Sequence, residues 1–180
     1  MPNHWHFVAW PEAEGQLTAF FRWLTHTHAM RWRVAHRTVG YGPLYQGRFK
    51  SFPVQDDGHL LTVARYVERN PLTAGLVARA EQWRWCSLWA RSSGDDAVRS
   101  LLSPWPGGLP ADWSDRVNAP LSARELDRLR VSLARGRPYG EDGWAERAVR
   151  ELALEHTVRP EGRPPKTKGT NPAADESRRF

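Results

Sequence analysis

The chain has 180 residues, 40% of them hydrophobic and 26% charged, with 26 Lys+Arg against 20 Asp+Glu and a formal charge of +6. That suffices for one domain with an appendage; no apolar run approaches the ~20 residues of a membrane helix, and no basic segment followed by an apolar one suggests a secretory leader. The single cysteine, Cys86, excludes an internal disulfide and a cysteine-based zinc site, so a cytoplasmic setting is expected.

Arginine far outnumbers lysine, which occurs only at Lys50, Lys166 and Lys168. The planar guanidinium suits bidentate contact with phosphate. A GC-rich genome would also raise arginine, but not the net positive charge, which favours a polyanionic partner. Ten tryptophans are present; most are expected in the core, the alternative being platforms on which unpaired bases stack.

Pro2 to Trp10 reads as a strand, apolar and aromatic, closed by Pro11. Side chains alternate along a strand, so His4 and His6 share one face and Trp5 and Phe7 the other. Two imidazoles about 7 Å apart on one face can converge on one metal ion or one phosphate. His-x-His alone is a short pattern, more often met in surface or core histidines than in ligands.

Gly15 to about Arg33 has helical spacing, with Leu17, Phe20, Phe21, Leu24 and Trp32 apolar. His26 and His28 lie on different faces of it and read as structural or surface residues. After a turn at Gly40 and Gly42, Leu44 to Val54 alternates as a strand, with Gln46, Arg48 and Lys50 on its polar side. That strip of cations suits phosphate, or is an ordinary solvated face. Asp56-Asp57 marks a helix N-terminus. The helix is predicted from about Gly58 to Arg69, with Leu60, Leu61, Ala64 and Val67 buried and Pro71 ending it. His59, Thr62, Tyr66 and Asn70 share another face. A tyrosine hydroxyl is a competent nucleophile towards a phosphodiester polarised by a cation, and a carboxamide oxygen one turn on can complete a site with two imidazoles. A half-buried tyrosine with a satisfied hydroxyl is the commoner fate.

Three stretches in this order carry a resemblance: Met1-Pro2-Asn3-His4-Trp5-His6, Leu44 to Lys50, and Arg65 to Val77, followed by Trp83 to Leu88. They resemble the single-tyrosine HUH transposases, and within them the REP-associated tyrosine transposases. The resemblance covers about the first half of the chain and implies an α+β fold: a ferredoxin-like antiparallel sheet with helices on one face. It implies that His4, His6 and Asn70 bind Mg²⁺ or Mn²⁺, and that Tyr66 attacks single-stranded or hairpin DNA to leave a 5′-phosphotyrosine and a free 3′-hydroxyl. Arg48, Lys50, Arg65 and Arg69 are the expected DNA-contacting cations. In that family a strand and a helix precede the His-x-His strand; the chain is expected to lack them and so to present an exposed strand edge. A DNA-binding remnant without catalysis is the alternative reading. A nucleoid-associated location follows for either, and a homodimer is a possible state, since relatives commonly dimerise.

The expected organisation is a transposase core over 1–91, a mainly helical region over 92–158 and a basic disordered tail over 159–180. Within it, Asp95 to Leu102 is a predicted short helix and Pro104 to Pro120 is predicted irregular. Ser122 and Glu125 form a capping box opening a helix to about Arg135 with Leu126, Leu129 and Leu133 apolar. Another helix is predicted over Trp144 to Glu155. The pair reads as a DNA-binding helix pair or as packing elements. Arg135-Gly136-Arg137-Pro138 and Gly162-Arg163-Pro164 resemble minor-groove hooks.

Overall fold

The computed structural model describes residues 1–162 apart from 2, 57 and 161. Most of the predicted tail, with Arg163 and Pro164 of the second hook, lies outside the described residues, as does Asp57. Among these residues seven helices follow in chain order: α1 Gln16–Ala35, α2 Gly58–Thr73, α3 Ser87–Ser93, α4 Asp96–Arg99, α5 Trp113–Asn118, α6 Ala123–Arg135 and α7 Asp142–Glu151. Short 3₁₀ turns lie at Ala80–Gln82 and Glu155–Thr157.

The ferredoxin-like antiparallel sheet is not formed. Among the described residues the only sheet pairing is an isolated parallel bridge between Val54 and Tyr139. The stretches over 4–10 and 44–54 carry no ladder; beside that bridge their backbones form no regular element and make no backbone hydrogen bond among the described residues. Alternation needs only local extended backbone, whereas a strand needs a partner about 4.8 Å away to take its N–H and C=O groups. Ring contacts hold the two stretches instead. Trp5 lies against His28 and Tyr45 at 5.4 and 5.2 Å, Phe7 against Phe21 at 5.2 Å, and Phe49 against Phe21 at 4.8 Å.

The core lies on both flanks of α2. On one, Ala64 packs with Ala80, Leu88, Trp113 and Val117; on the other, Val63 packs with Leu121, Leu129 and Tyr139. Both clusters therefore join residues from before and after position 91. Helix α1 contributes no buried residue, and Phe20, Trp23, Met30 and Val34 stay 46–64% exposed along one side of it. Trp113 is the one tryptophan buried outright; Trp5, Trp10, Trp23 and Trp85 are exposed and the rest half-buried. The expectation of a tryptophan-rich core is thus corrected.

Local signals held where the chain supplies its own partners. Ser122 Oγ accepts the Glu125 amide at 3.2 Å, and Glu125 accepts the Ser122 amide at 2.7 Å, closing the predicted capping box. Pro71 does not end α2; it lies inside it. The stop comes at Gly75, whose φ of 68° only glycine adopts freely. There the Leu76 amide reaches Pro71 O and the Gly75 amide Leu72 O, both at 3.0 Å, the pairing of a Schellman turn. The stretch predicted irregular over 104–120 contains α5, which is short and owes its place to the buried Trp113 and Val117.

Glu68 joins these helices. Its residue is 2% exposed. Oε1 accepts Ser87 Oγ and pairs with Arg91 Nη2, both of α3, and Oε2 accepts Trp113 Nε1 of α5 at 2.8 Å. Removing one member of a buried, hydrogen-bonded pair strands the other, so Glu68→Ala is expected to destabilise the chain by about 3–5 kcal/mol. The measurement is urea denaturation, where the midpoint should drop with an unchanged slope; a midpoint equal to the parent's would show that Glu68 does not hold the helices together.

A candidate histidine, tyrosine and asparagine site

The four residues singled out for chemistry come from two elements. His4 and His6 lie on the N-terminal stretch, and Tyr66 and Asn70 lie one turn apart on α2. The stretch keeps the predicted pairing of alternate side chains without a sheet. The His4 and His6 rings meet edge to face with centroids 4.9 Å apart, and Trp5 meets Phe7 in the same way at 6.0 Å. His6 also touches Tyr66, edge to face at 5.7 Å. His6 is therefore the link between the two elements. Val8 just beyond it packs with Tyr66 against the Val63–Leu129 cluster.

With metal–nitrogen bonds of about 2.0–2.1 Å, two imidazoles sharing one ion have ring centres roughly 4.5–5 Å apart. The His4–His6 separation of 4.9 Å fits. The Asn70 Nδ2 is buried and has no hydrogen-bond partner among the described residues. Amide nitrogen and oxygen are placed by their hydrogen bonds, so the same group turned over presents an oxygen with nothing else bound there. The spacing of the two imidazoles thus fits one divalent cation, and a carboxamide oxygen is the kind of donor that completes such a set. Among the described residues no three His, Cys, Asp or Glu side chains gather; asparagine is outside that set.

His4 Nδ1 lies 2.8 Å from Asn3 Oδ1, which orients the ring and leaves Nε2 as the nitrogen open to a ligand. Burial, then the neighbouring His4, then the chain's amino group push His6 down to about 4 from 6.5. Its imidazole is therefore neutral at ordinary pH, the form that ligates.

The expected DNA cations divide. Arg48 and Lys50 are exposed on the stretch before α2. Arg65 and Arg69 are turned inward to the end of α5. Arg65 donates to Arg116 O at 2.9 Å and to Ala119 O and Pro120 O at 3.3 and 3.4 Å, and Arg69 donates to Val117 O and Asn118 O. Two guanidiniums thus satisfy carbonyls that the short helix leaves open, and their role is structural. Tyr45 is held by His28, its Oη 2.5 Å from Nδ1. Sequence reasoning passed over Glu68, which sits inside the Arg65–Val77 stretch. Its signal was a lone acid on a helix flanked by Arg65 and Arg69.

Comparison with family models, with curated proteins and with solved structures gives no match.

The depressed His6 value links folding to pH. Its folded value lies below its unfolded one, so the unfolded chain takes up a proton near pH 6.5 and the folded chain only near 4. The His6 contribution is then present above pH 6.5, falls as pH drops through that window, and levels off below 4. An NMR titration of the His6 ring protons is expected to show a midpoint near 4. A midpoint near 6.5 would place the ring in solvent and away from Tyr66.

Proposed function

We propose that the chain cuts and rejoins single-stranded DNA through a tyrosine–5′-phosphate intermediate, with Tyr66 as nucleophile. The contact that supports this reading is His6, lying at once against His4 and Tyr66. In the proposed step the Tyr66 oxygen bonds to phosphorus, the phosphorus–O3′ bond breaks, and the phenolic proton ends on the released 3′-hydroxyl. Attack by another 3′-hydroxyl reverses the exchange and joins strands. His4, His6 and Asn70 would hold Mg²⁺ or Mn²⁺; when bound, such a cation polarises the phosphate and stabilises charge on the departing oxygen. The protein's own residues orient the rest. Tyr66 stands on a helix fixed by Glu68, His6 sets the ring against which the phenol lies, and exposed Arg48 and Lys50 supply positive charge for the strand. Arg65 and Arg69 are not part of this DNA contact. Among the described residues no helix is long and apolar enough to cross a membrane; a cytoplasmic, nucleoid-associated setting goes with the proposal.

The test is a denaturing-gel assay of a labelled stem-loop DNA with a single-stranded flank. The parent chain is expected to form a covalent protein–DNA adduct that is lost on chelation of divalent cations and in Tyr66→Phe, while binding of the same DNA survives in Tyr66→Phe. Binding with no adduct in the parent chain would assign the alternative, a DNA-binding protein without catalysis. An adduct that persists in Tyr66→Phe would remove Tyr66 from the reaction.

A further inference from the structure

A second basic feature lies apart from Tyr66. Between α6 and α7, and reaching His59 of α2, is a cleft of about 510 Å³ whose lining includes Arg124, Arg128, Arg137, Tyr139, Glu141 and Asp142. Arg124 and Arg128 are four apart on α6, so their like charges sit side by side, which costs a helix a few tenths of a kcal/mol without a counter-ion. Arg128 is anchored: its guanidinium lies over the Tyr139 ring, 5.3 Å from the centroid, and donates to Gly140 O. Arg124 and Arg137 are exposed and have no hydrogen bond or ion pair with a described residue.

The loop beneath them is fixed at several points. Its Tyr139 is 3% exposed and bridges to Val54, giving its amide to Pro53 O and receiving the Gln55 amide, both at 2.9 Å. Gln55 Oε1 in turn accepts the Glu141 amide at 2.8 Å. Gly140 has no room for a side chain, since a Cβ there would lie 2.5 Å from the Trp144 ring and 2.7 Å from Gln55 Oε1. The floor of the cleft is therefore fixed at several points, and the guanidiniums stand on α6 and the loop that follows. The exposed carboxylates of Glu141, the N-cap of α7, and Asp142, its first residue, also line the cleft. Three guanidiniums on that support form a fork-bearing set that matches phosphate oxygens.

We propose that this cleft binds the phosphodiester backbone of a nucleic-acid strand, with Arg124 and Arg137 as its two free arms and Arg128 as the fixed one. The proposal rests on the DNA reading above only for the identity of the polyanion; it does not need Tyr66 to react. It gives the Arg137 motif a backbone contact in a cleft in place of minor-groove insertion.

The test uses the full chain and a fluorescein-labelled oligothymidylate in an anisotropy titration across a series of salt concentrations. Arg124→Glu with Arg137→Glu is expected to weaken binding by on the order of 10-fold or more at low salt. The slope of log affinity against log salt should fall by about 1.4, some 0.7 for each single-strand phosphate that the two arms no longer neutralise. Arg130→Glu with Arg150→Glu changes net charge equally on exposed positions of the same two helices and is expected to leave both quantities near those of the parent chain. Arg124→Lys with Arg137→Lys keeps the charge and the fold while removing the fork, and is expected to fall between. Equal losses in the two Glu pairs would reduce the effect to overall charge and overturn the proposal, as would a parent chain that does not bind the oligonucleotide at low salt. Weakened binding in the cleft pair, in a chain that forms no adduct, would uphold the cleft and sink only the nucleophile.

Discussion

Glu68 carries a carboxylate out of water into the junction of α2, α3 and α5, and the rest of the arrangement depends on how that group is paired. Burying such an ion costs several kcal/mol unless its oxygens find donors. Here three do, from Ser87, Arg91 and Trp113. The pairing fixes more than a contact. At 3.6 residues per turn, positions two before and two after Glu68 are turned roughly 160–200° away from it. Those positions are Tyr66 and Asn70. With Glu68 locked towards α3 and α5, the opposite face of α2 has no freedom left, and Tyr66 comes against His6. A structural residue thus sets the azimuth of a chemical one, through a helix that neither could orient alone.

The arginines divide along the same line. Arg65 and Arg69 border the Glu68 face of α2 and close over the carbonyls at the end of α5, where cations are favoured by the helix dipole and where a six-residue helix has few internal bonds to spare. Their partners lie 48 to 55 positions further on. Nothing within one helix distinguishes a guanidinium that grips carbonyls from one that grips phosphate; the difference lies in what the fold brings to it. Exposed positive charge therefore sits elsewhere, on Arg48 and Lys50 and, at the α6–α7 cleft, on Arg124 and Arg137.

This is also why some features could be read from the chain and others could not. The Ser122–Glu125 box, the α6 stripe around Leu129, and the shared face of Tyr66 and Asn70 are local: residues within four positions determine them. The alternation over 4–10 was local as well, and it did place His4 beside His6. What alternation could not supply was a neighbouring strand, so the inference from pattern to sheet failed while the inference from pattern to shared face held. Pro71 misled for a related reason. Losing one amide donor is tolerable in the last turn of a helix, and the chain stops where Gly75 can adopt a positive φ. Helix α5 is too short for periodicity to register, and its position follows from burial of Trp113 rather than from propensity.

The two halves of the candidate site consequently differ in stiffness. Tyr66 and Asn70 stand on a helix held by a buried, three-way-paired carboxylate. His4 and His6 stand on a stretch without backbone pairing, held by ring contacts worth about 0.5–1.5 kcal/mol each and by Val8 against the Val63–Leu129 cluster. His4 itself is exposed. A ligand that draws on both halves must fix the softer one, and its apparent dissociation constant is then the intrinsic one divided by the fraction of time the imidazoles are in place. On the proposed reaction, the geometry that matters is then the one assembled with the substrate present, with Tyr66 held in place by its helix and the imidazole side completed by what binds there.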